Sequence, residues 1–262
     1  MSQEPVLLEI DDRGVATVTL NRPELHNAFN DVVIAGLTSI FAELGKNSKV
    51  RVVVLAATGA SFSAGAELGW MKRAAKFSYE ENLADARKLA QMLDDLARLP
   101  VPTIALVQGA AYGGGVGLAA CCDIVIAIAS ATFCLSEVKL GLTPATISPY
   151  VVAAIGARQA KRYFTTAERF DGPTAQRIGL VHDIVGAPED LVTTRDRIVN
   201  HILQAGPQAV AAAKDLVYAV AGQPIGPELM AETARRIADR RLSAEGQEGL
   251  SAFLEKRKPN WI

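Results

Sequence analysis

Two glycine-rich turns carry the strongest chemical signal in this 262-residue chain. The first, Ser63-Ala64-Gly65-Ala66-Glu67-Leu68, follows a β-branched run from Val50 to Ala57. The second, Gly109-Ala110-Ala111-Tyr112-Gly113-Gly114-Gly115, follows the apolar run Thr103 to Val107. In open α/β sheets, ligands bind beyond the carboxyl ends of strands, where turns of this kind lie. Small residues let a ligand approach the backbone, and a helix that starts there leaves N–H groups without intrahelical acceptors. Two such groups from neighbouring turns can form an oxyanion hole for negative charge on an acyl oxygen. The other use of the same glycines is to let a helix pack tightly on the sheet.

Other chemistries find less support. His26, His182 and His201 have no partner histidine or carboxylate at helix spacing, so no metal site is expected. Gly113-Gly114-Gly115-Val116-Gly117 lacks the full dinucleotide fingerprint, and Gly59-Ala60-Ser61-Phe62-Ser63 has serine where a nucleophile elbow needs its closing glycine. With 27 basic and 28 acidic side chains, no electrostatic attraction to nucleic acid or to an anionic membrane is expected. Cys121, Cys122 and Cys134 lie in apolar surroundings and at no metal-ligand spacing, which reads as three reduced core thiols in a cytoplasmic protein. Residues Met1 to Glu9 lack a basic segment followed by a long apolar one, so no secretory signal is expected.

The elements that must position the turns follow from apolar periodicity. Val6–Ile10 and Val15–Leu20 read as a hairpin, and Asp31 is expected to cap an amphipathic helix running to about Leu44. Val50–Ala57 reads as a strand buried on both faces, Thr58–Gly65 as a loop, and Glu80–Leu99 as a long helix. Thr103–Val107, Val116–Cys121 and Ile124–Ile128 then read as strand, helix and strand. From Leu99 to Leu135 the one side chain expected to carry charge is Asp123, a profile that resembles a membrane span. Gly113–Gly115, Pro100 and Pro102 make buried strand–turn–helix–strand the better account. Strands separated by helices imply a parallel sheet with right-handed crossovers. Beyond about Phe164 the pattern reads as helical throughout, with candidate helices at Thr174–Gly179, Asp190–Leu203, Pro207–Ala221, Gly226–Leu242 and Ala244–Lys256. The expected organisation is an α/β core over residues 1–195 and a helical C-terminal region over 196–262, without a sharp boundary.

Five segments in order resemble one family. They are Leu20-Asn21-Arg22-Pro23 with Asn27-Ala28, Phe62 to Leu68, Gly109 to Gly115 followed by Cys122-Asp123, Phe133 to Leu142 around Glu137, and Phe253 to Pro259. Together they resemble the enoyl-CoA hydratase/isomerase (crotonase) family over essentially the whole chain. The resemblance implies a crotonase-like spiral of ββα units with a helical C-terminal trimerisation region, assembling as a homotrimer or a dimer of trimers. It implies an oxyanion hole from the N–H groups of Ala66 and Gly114, and Glu137 as general acid/base. It also implies contacts to coenzyme A around His26, Ala28, Ala64, Ala66, Glu67, Leu68 and Gly114, with Phe253 and Lys256 reaching the nucleotide end of a ligand in their own or a neighbouring subunit. Coenzyme A would enter as part of an acyl-CoA substrate, with no permanently bound cofactor. Glu137 has apolar neighbours in Phe133, Leu135, Val138 and Leu140, a setting that favours its protonated form; by itself such a residue could equally be a surface glutamate at a strand–helix junction.

One departure bears on the reaction. Hydratases of the family with two glutamates carry the second soon after the three glycines, where this chain has Gly117. Either Glu137 serves both proton transfers, or the protein is an isomerase-type member, or the substrate assists. The segments Phe133–Leu142, Pro144–Tyr150 and Arg162–Gly172 are similar to bacterial methylglutaconyl-CoA hydratases of leucine breakdown. That likeness implies a branched acyl chain with a distal carboxylate, for which Lys72 and Arg73 are the nearest cations in sequence. A general enoyl-CoA hydratase and a non-catalytic acyl-CoA binding protein are the other expectations.

Overall fold

The computed structural model describes residues 4–262; the first three residues of the N-terminal segment read above lie outside the described residues. The chain opens with β1 (Val6–Ile10), β2 (Val15–Leu20) and α1 (Asp31–Leu44). Then come β3 (Val52–Ala57), β4 (Ser61–Ser63), α2 (Leu68–Ala74), α3 (Tyr79–Ala97), β5 (Thr103–Val107), β6 (Ala110–Tyr112) and α4 (Gly114–Cys121). After these follow β7 (Ile124–Ile128), β8 (Thr132–Cys134), a 3-10 turn at Glu137–Leu140, α5 (Ser148–Thr166), β9 (Phe170–Asp171), α6 (Gly172–Arg177) and β10 (Asp183–Val185). Four helices close the chain: α7 (Pro188–Gln204), α8 (Pro207–Val220), α9 (Pro227–Leu242) and α10 (Ala244–Leu254).

The strands form two sheets, one of six in the order β1-β2-β3-β5-β7-β10 and one of four in the order β4-β6-β8-β9. Pairing is parallel except between β1 and β2 and between β8 and β9. Three times in succession the chain adds a strand to the large sheet, a short strand to the small one, and then a helix. This is the expected spiral of ββα units, and each turn of it delivers a loop to the same end of the small sheet.

The large sheet forms because β3, β5 and β7 are nearly continuous apolar runs buried on both faces. Helix α1 turns Val33, Ile34, Leu37, Phe41 and Leu44 inward, and α3 turns Met92, Leu93, Leu96 and Ala97 inward. These two stripes pack against each other. Helix α4 is apolar all round and lies between α3 and α5. That placement accounts for the membrane-like stretch from Leu99 to Leu135, and no described helix is long and apolar enough to cross a membrane.

Several expectations need correction. Asn30, not Asp31, caps α1: its side chain accepts from the Val33 N–H at 3.0 Å. The third large-sheet strand starts at Val52 rather than Val50, and Thr58–Gly65 contains strand β4. Helix α5 was not expected, and the region beyond Phe164 is not helical throughout, since β9 pairs with β8 and β10 extends the large sheet beside β7. Both strands are short, below the length at which alternation can be recognised. The division placed between residues 195 and 196 falls inside α7, which is anchored to the sheet by buried Leu191 and Val199.

The C-terminal helices are fastened to the sheet by charge. Asp123 Oδ2 accepts from the Thr103 N–H at 2.8 Å, the Thr103 hydroxyl at 3.0 Å and Lys214 Nζ of α8 at 2.7 Å. Lys214 also donates to the Val101 carbonyl. Arg51 donates to the carbonyls of Leu203 and Ala205 at the end of α7, while Glu245 accepts from the Gln208 and Ala209 N–H groups at the start of α8. Replacing Lys214 by Met leaves the Asp123 charge without its partner. We expect a loss of about 2–3 kcal/mol, read as a fall of about 5–10 °C in Tm, with partial recovery on adding Asp123→Asn.

Candidate active site

The first turn is held by a network centred on Asn27. Asn27 Oδ1 accepts from the Arg22 N–H at 2.8 Å, and Asn27 Nδ2 donates to the carbonyls of Thr58 and Ser61, both at 2.8 Å. His26 and Asn27 both adopt left-handed backbone, φ +51° and +54°, and the His26 ring meets Ser61 Oγ at 3.0 Å. Ser63 Oγ donates to the Asn27 carbonyl and accepts from the Gly65 N–H. Gln108 Nε2 lies within hydrogen-bond distance of the Ala57, Gly59 and Ser61 carbonyls, which ties this turn to the end of β5.

Ala66 then forms an isolated parallel bridge with Phe29, made by Phe29 N–H to Gly65 O at 2.6 Å and Glu67 N–H to Phe29 O at 2.7 Å. In a parallel bridge the flanking residues supply the bonds, so the N–H of Ala66 itself points away from Phe29. Ala66 is exposed, and its N–H has no acceptor among the described residues.

The second turn lies against the first. A Cβ on Gly65 (φ +83°) would come within 2.8 Å of the Tyr112 carbonyl oxygen and 3.6 Å of the Gly114 nitrogen. Gly113 has φ +50°, a conformation side chains rarely adopt, and donates its N–H to Cys134 O at 2.9 Å. Gly114 is the first residue of α4, so its N–H is one of the helix's unpaired donors. The two free N–H groups, at Ala66 and Gly114, therefore stand on adjoining turns.

Glu137 arrives from the third spiral unit. It opens the 3-10 turn after β8, whose residues Phe133 and Cys134 pair with Ala111 and Tyr112 of β6. Its Oε1 lies 3.0 Å from where a Cβ on Gly113 would be, which sets the carboxyl beside the residue that precedes the Gly114 donor. Its Oε2 is buried with no partner among the described residues. Burial pushes the Glu137 carboxyl above its ordinary value, only partly opposed by its own backbone N–H. The arrangement can polarise a carbonyl with two backbone donors and move a proton with a carboxyl whose proton affinity is raised.

The other expected residues fall into three groups. His26, Ala64 and Leu68 are exposed around the first turn, and Ala64 N–H donates to His26 O. Ala28 is buried with its carbonyl on Arg22. The Glu67 carboxylate is engaged by Arg22 Nη1 and Asn30 Nδ2, both at 2.8 Å, so it braces the turn and leaves backbone to face a ligand. Phe253 is 80% exposed on α10, and Lys256 follows it with φ +56°; α10 packs on α8 and α9. Among the described residues, no hydrogen bond or ion pair brings these two to Ala66, Gly114 or Glu137. Arg73 is paired with Asp31 at 2.8 Å, whereas Lys72 is exposed with no ion-pair partner among the described residues.

Sequence reasoning gave no role to Arg22, Asn27, Asn30 and Gln108, although the first two lie in a quoted motif. A charge pair such as Arg22–Glu67 spans two loops distant in sequence, and no local pattern announces it. The thiols of Cys121, Cys122 and Cys134 are buried, and burial pushes that of Cys122 up to about 12, so all three are packing residues.

The family model for enoyl-CoA hydratase/isomerase matches residues 11–262. A crystal structure named as an enoyl CoA hydratase/isomerase (crotonase) of Legionella pneumophila is 47% identical over the full length of both chains, with a TM-score of 0.93. An enoyl-CoA hydratase of Shewanella pealeana is 45% identical, covers 99% of this chain and 97% of its own, and superposes with a TM-score of 0.95. A short-chain-enoyl-CoA hydratase of Clostridium acetobutylicum is 33% identical over 98% of this chain and 97% of its own. The adjoining N–H groups of Ala66 and Gly114, with the Glu137 carboxyl beside them, thus sit in a chain that belongs to the enoyl-CoA hydratase/isomerase family.

Proposed function

We propose that this enzyme is a hydratase of branched, carboxylated enoyl-CoA thioesters such as methylglutaconyl-CoA, working with a backbone oxyanion hole and one glutamate. The observation that carries this reading is half-buried Glu137, whose Oε2 is buried with no partner among the described residues and whose Oε1 is set against Gly113. In the proposed reaction the thioester oxygen accepts from the N–H groups of Ala66 and Gly114, which stabilise it as the conjugated system becomes an enolate. Ionised Glu137 takes a proton from water as the hydroxyl bonds to Cβ. The same carboxyl then gives a proton to Cα, so one water is consumed and Glu137 returns to its starting state. Coenzyme A is carried in by the substrate, and no resident cofactor takes part.

The first turn, with His26, Ala64 and Leu68 exposed, Ala28 buried behind them and Glu67 acting through its backbone, is assigned to the adenine and pantetheine parts. Phe253 and Lys256 are assigned to the nucleotide end in a neighbouring subunit. Exposed apolar residues on the C-terminal helices, among them Met230, Leu242 and Leu254, support the trimeric assembly that this requires. We assign the enzyme to the cytoplasm, in keeping with its three reduced thiols. Lys72 is the cation proposed for a distal carboxylate, since Arg73 is already paired.

A second reading is favoured by Gly117, which leaves no second carboxylate at that position. It is an isomerase that shuttles one proton with Glu137 and takes up no water. A panel of acyl-CoA thioesters scored for loss of enoyl absorbance and for double-bond migration separates the two. Replacing Glu137 by Gln should lower kcat by about 10³-fold, and near-normal turnover would falsify the assignment. Lys72→Ala should raise KM for the carboxylated substrate while leaving that for crotonyl-CoA within about twofold, since only a distal charge would feel the loss.

Glu137 also sets a pH dependence of stability. A carboxyl raised in the folded state binds protons more tightly there than in the unfolded chain, so its cost appears as pH rises through the folded value. Thermal melts of Glu137→Gln should exceed wild type at pH 8, and the gap should close toward pH 4.

A further inference from the structure

Gly117 has a structural partner that explains why it is glycine. Its N–H donates to Gly113 O at 3.1 Å, so the two glycines stand one turn apart on one face of α4. The Glu137 carboxyl lies against the first. Against the second lies Ile147: a Cβ at 117 would be 2.3 Å from Ile147 Cγ2 and 2.9 Å from Ile147 Cβ. Leu93 Cδ2 closes the space from α3 at 3.8 Å. Ile147 is 2% exposed and Leu93 fully buried. The clashing atoms are at the root of a β-branched side chain, which cannot swing aside by changing a distal torsion. The catalytic carboxyl and the isoleucine thus occupy successive turns of one glycine wall.

We propose that Gly117 and Ile147 form a matched pair that confines proton transfer to Glu137, with Ile147 as a positioning residue. Ile147 fills the volume that a side chain at 117 needs and gives an apolar surface one helical turn from the glycine against which the working carboxyl lies. Acyl chemistry at this site then runs with a single ionisation. This inference rests on the hydratase reading and names the residue that enforces it.

Few other groups can titrate beside Glu137. On α4, Gly113 and Gly117 bring no side chain. On β8 there is Cys134, whose own thiol is raised by burial, and on the 3-10 turn there is exposed Lys139. The first turn brings Glu67, held by Arg22. On α5 the first titratable residue is Tyr150, which is pushed up to about 12 by burial and is turned toward Cys121, Asp94, Arg98 and Tyr218.

The test is a mutant cycle of wild type, Ile147→Ala, Gly117→Glu and the double variant, read by Tm, by hydration of crotonyl-CoA and by the pH profile of kcat/KM. Gly117→Glu alone should lower Tm by about 5 °C or more through overpacking and should lose over about 100-fold in rate. Ile147→Ala should lower kcat by about tenfold while KM changes less than about threefold. The double variant should regain the Tm of Ile147→Ala and show a second ionisation absent from wild type. Gly117→Glu melting like wild type, additive Tm changes, or a double variant with one ionisation overturns the pair. If Gly117→Glu is insoluble, Gly117→Ala takes its place in the thermal cycle with the same criterion. A wild type that hydrates no thioester sinks the hydratase reading and the proton-transfer role together, while the thermal cycle still decides the packing contact.

Discussion

The site depends on the closeness with which the first two turns approach. Gly65 lies so near the Tyr112 carbonyl that no side chain fits between them, and Gly114 lies likewise against the Phe29 ring. Two loops this close can aim unpaired N–H groups at one point, and the pairing of β4, β6 and β8 supplies the alignment. Those strands are three residues each, too short to stand alone. They persist because the six-stranded sheet beneath already fixes where each loop begins. A small sheet of short strands, set by a longer six-stranded one, is the arrangement that brings the two turns together.

The charges divide into those that brace and those that act. Arg22 and Glu67 neutralise each other at the first turn, where Asn30 also donates to the Glu67 carboxylate, and Asp123 pairs likewise with Lys214. Glu137 has no such partner at Oε2 among the described residues. An unpaired polar atom in a buried place costs stability, and in this enzyme that cost coincides with the carboxyl assigned to proton transfer. The raised affinity for a proton is therefore a consequence of where the third spiral unit ends, with no neighbouring charge needed to produce it.

The large sheet was legible because β3, β5 and β7 are uninterrupted apolar runs whose buried state leaves few alternatives. The small sheet was hidden: Ser61–Ser63 and Ala110–Tyr112 sit among glycines, and their strand character comes from partners far along the chain. Asn30 and Asp31 are both good caps, and only the backbone of Asn30 shows which one serves. At the site, the turns and Glu137 stood out through residue type and motif. What braces them did not, because Asn27, Gln108 and Ile147 act through contacts that cross between loops. Gly117 was visible as a departure, while its cause, the root of the Ile147 side chain, is a matter of packing alone.

The bonds that fix the first turn also make the site depend on segments far apart in the chain. Gln108 reaches back 47 residues to the Ser61 carbonyl, and β4 pairs in parallel with a strand from the next spiral unit. Contacts of that span form only after the intervening chain has been gathered, because loop closure must precede the gain from pairing. The proposed oxyanion geometry thus needs loop closures as long as those of the large sheet, where Val53 pairs with Thr103. A chain with its helices formed but these distant segments ungathered would have no competent centre, so activity reports that the spiral has closed.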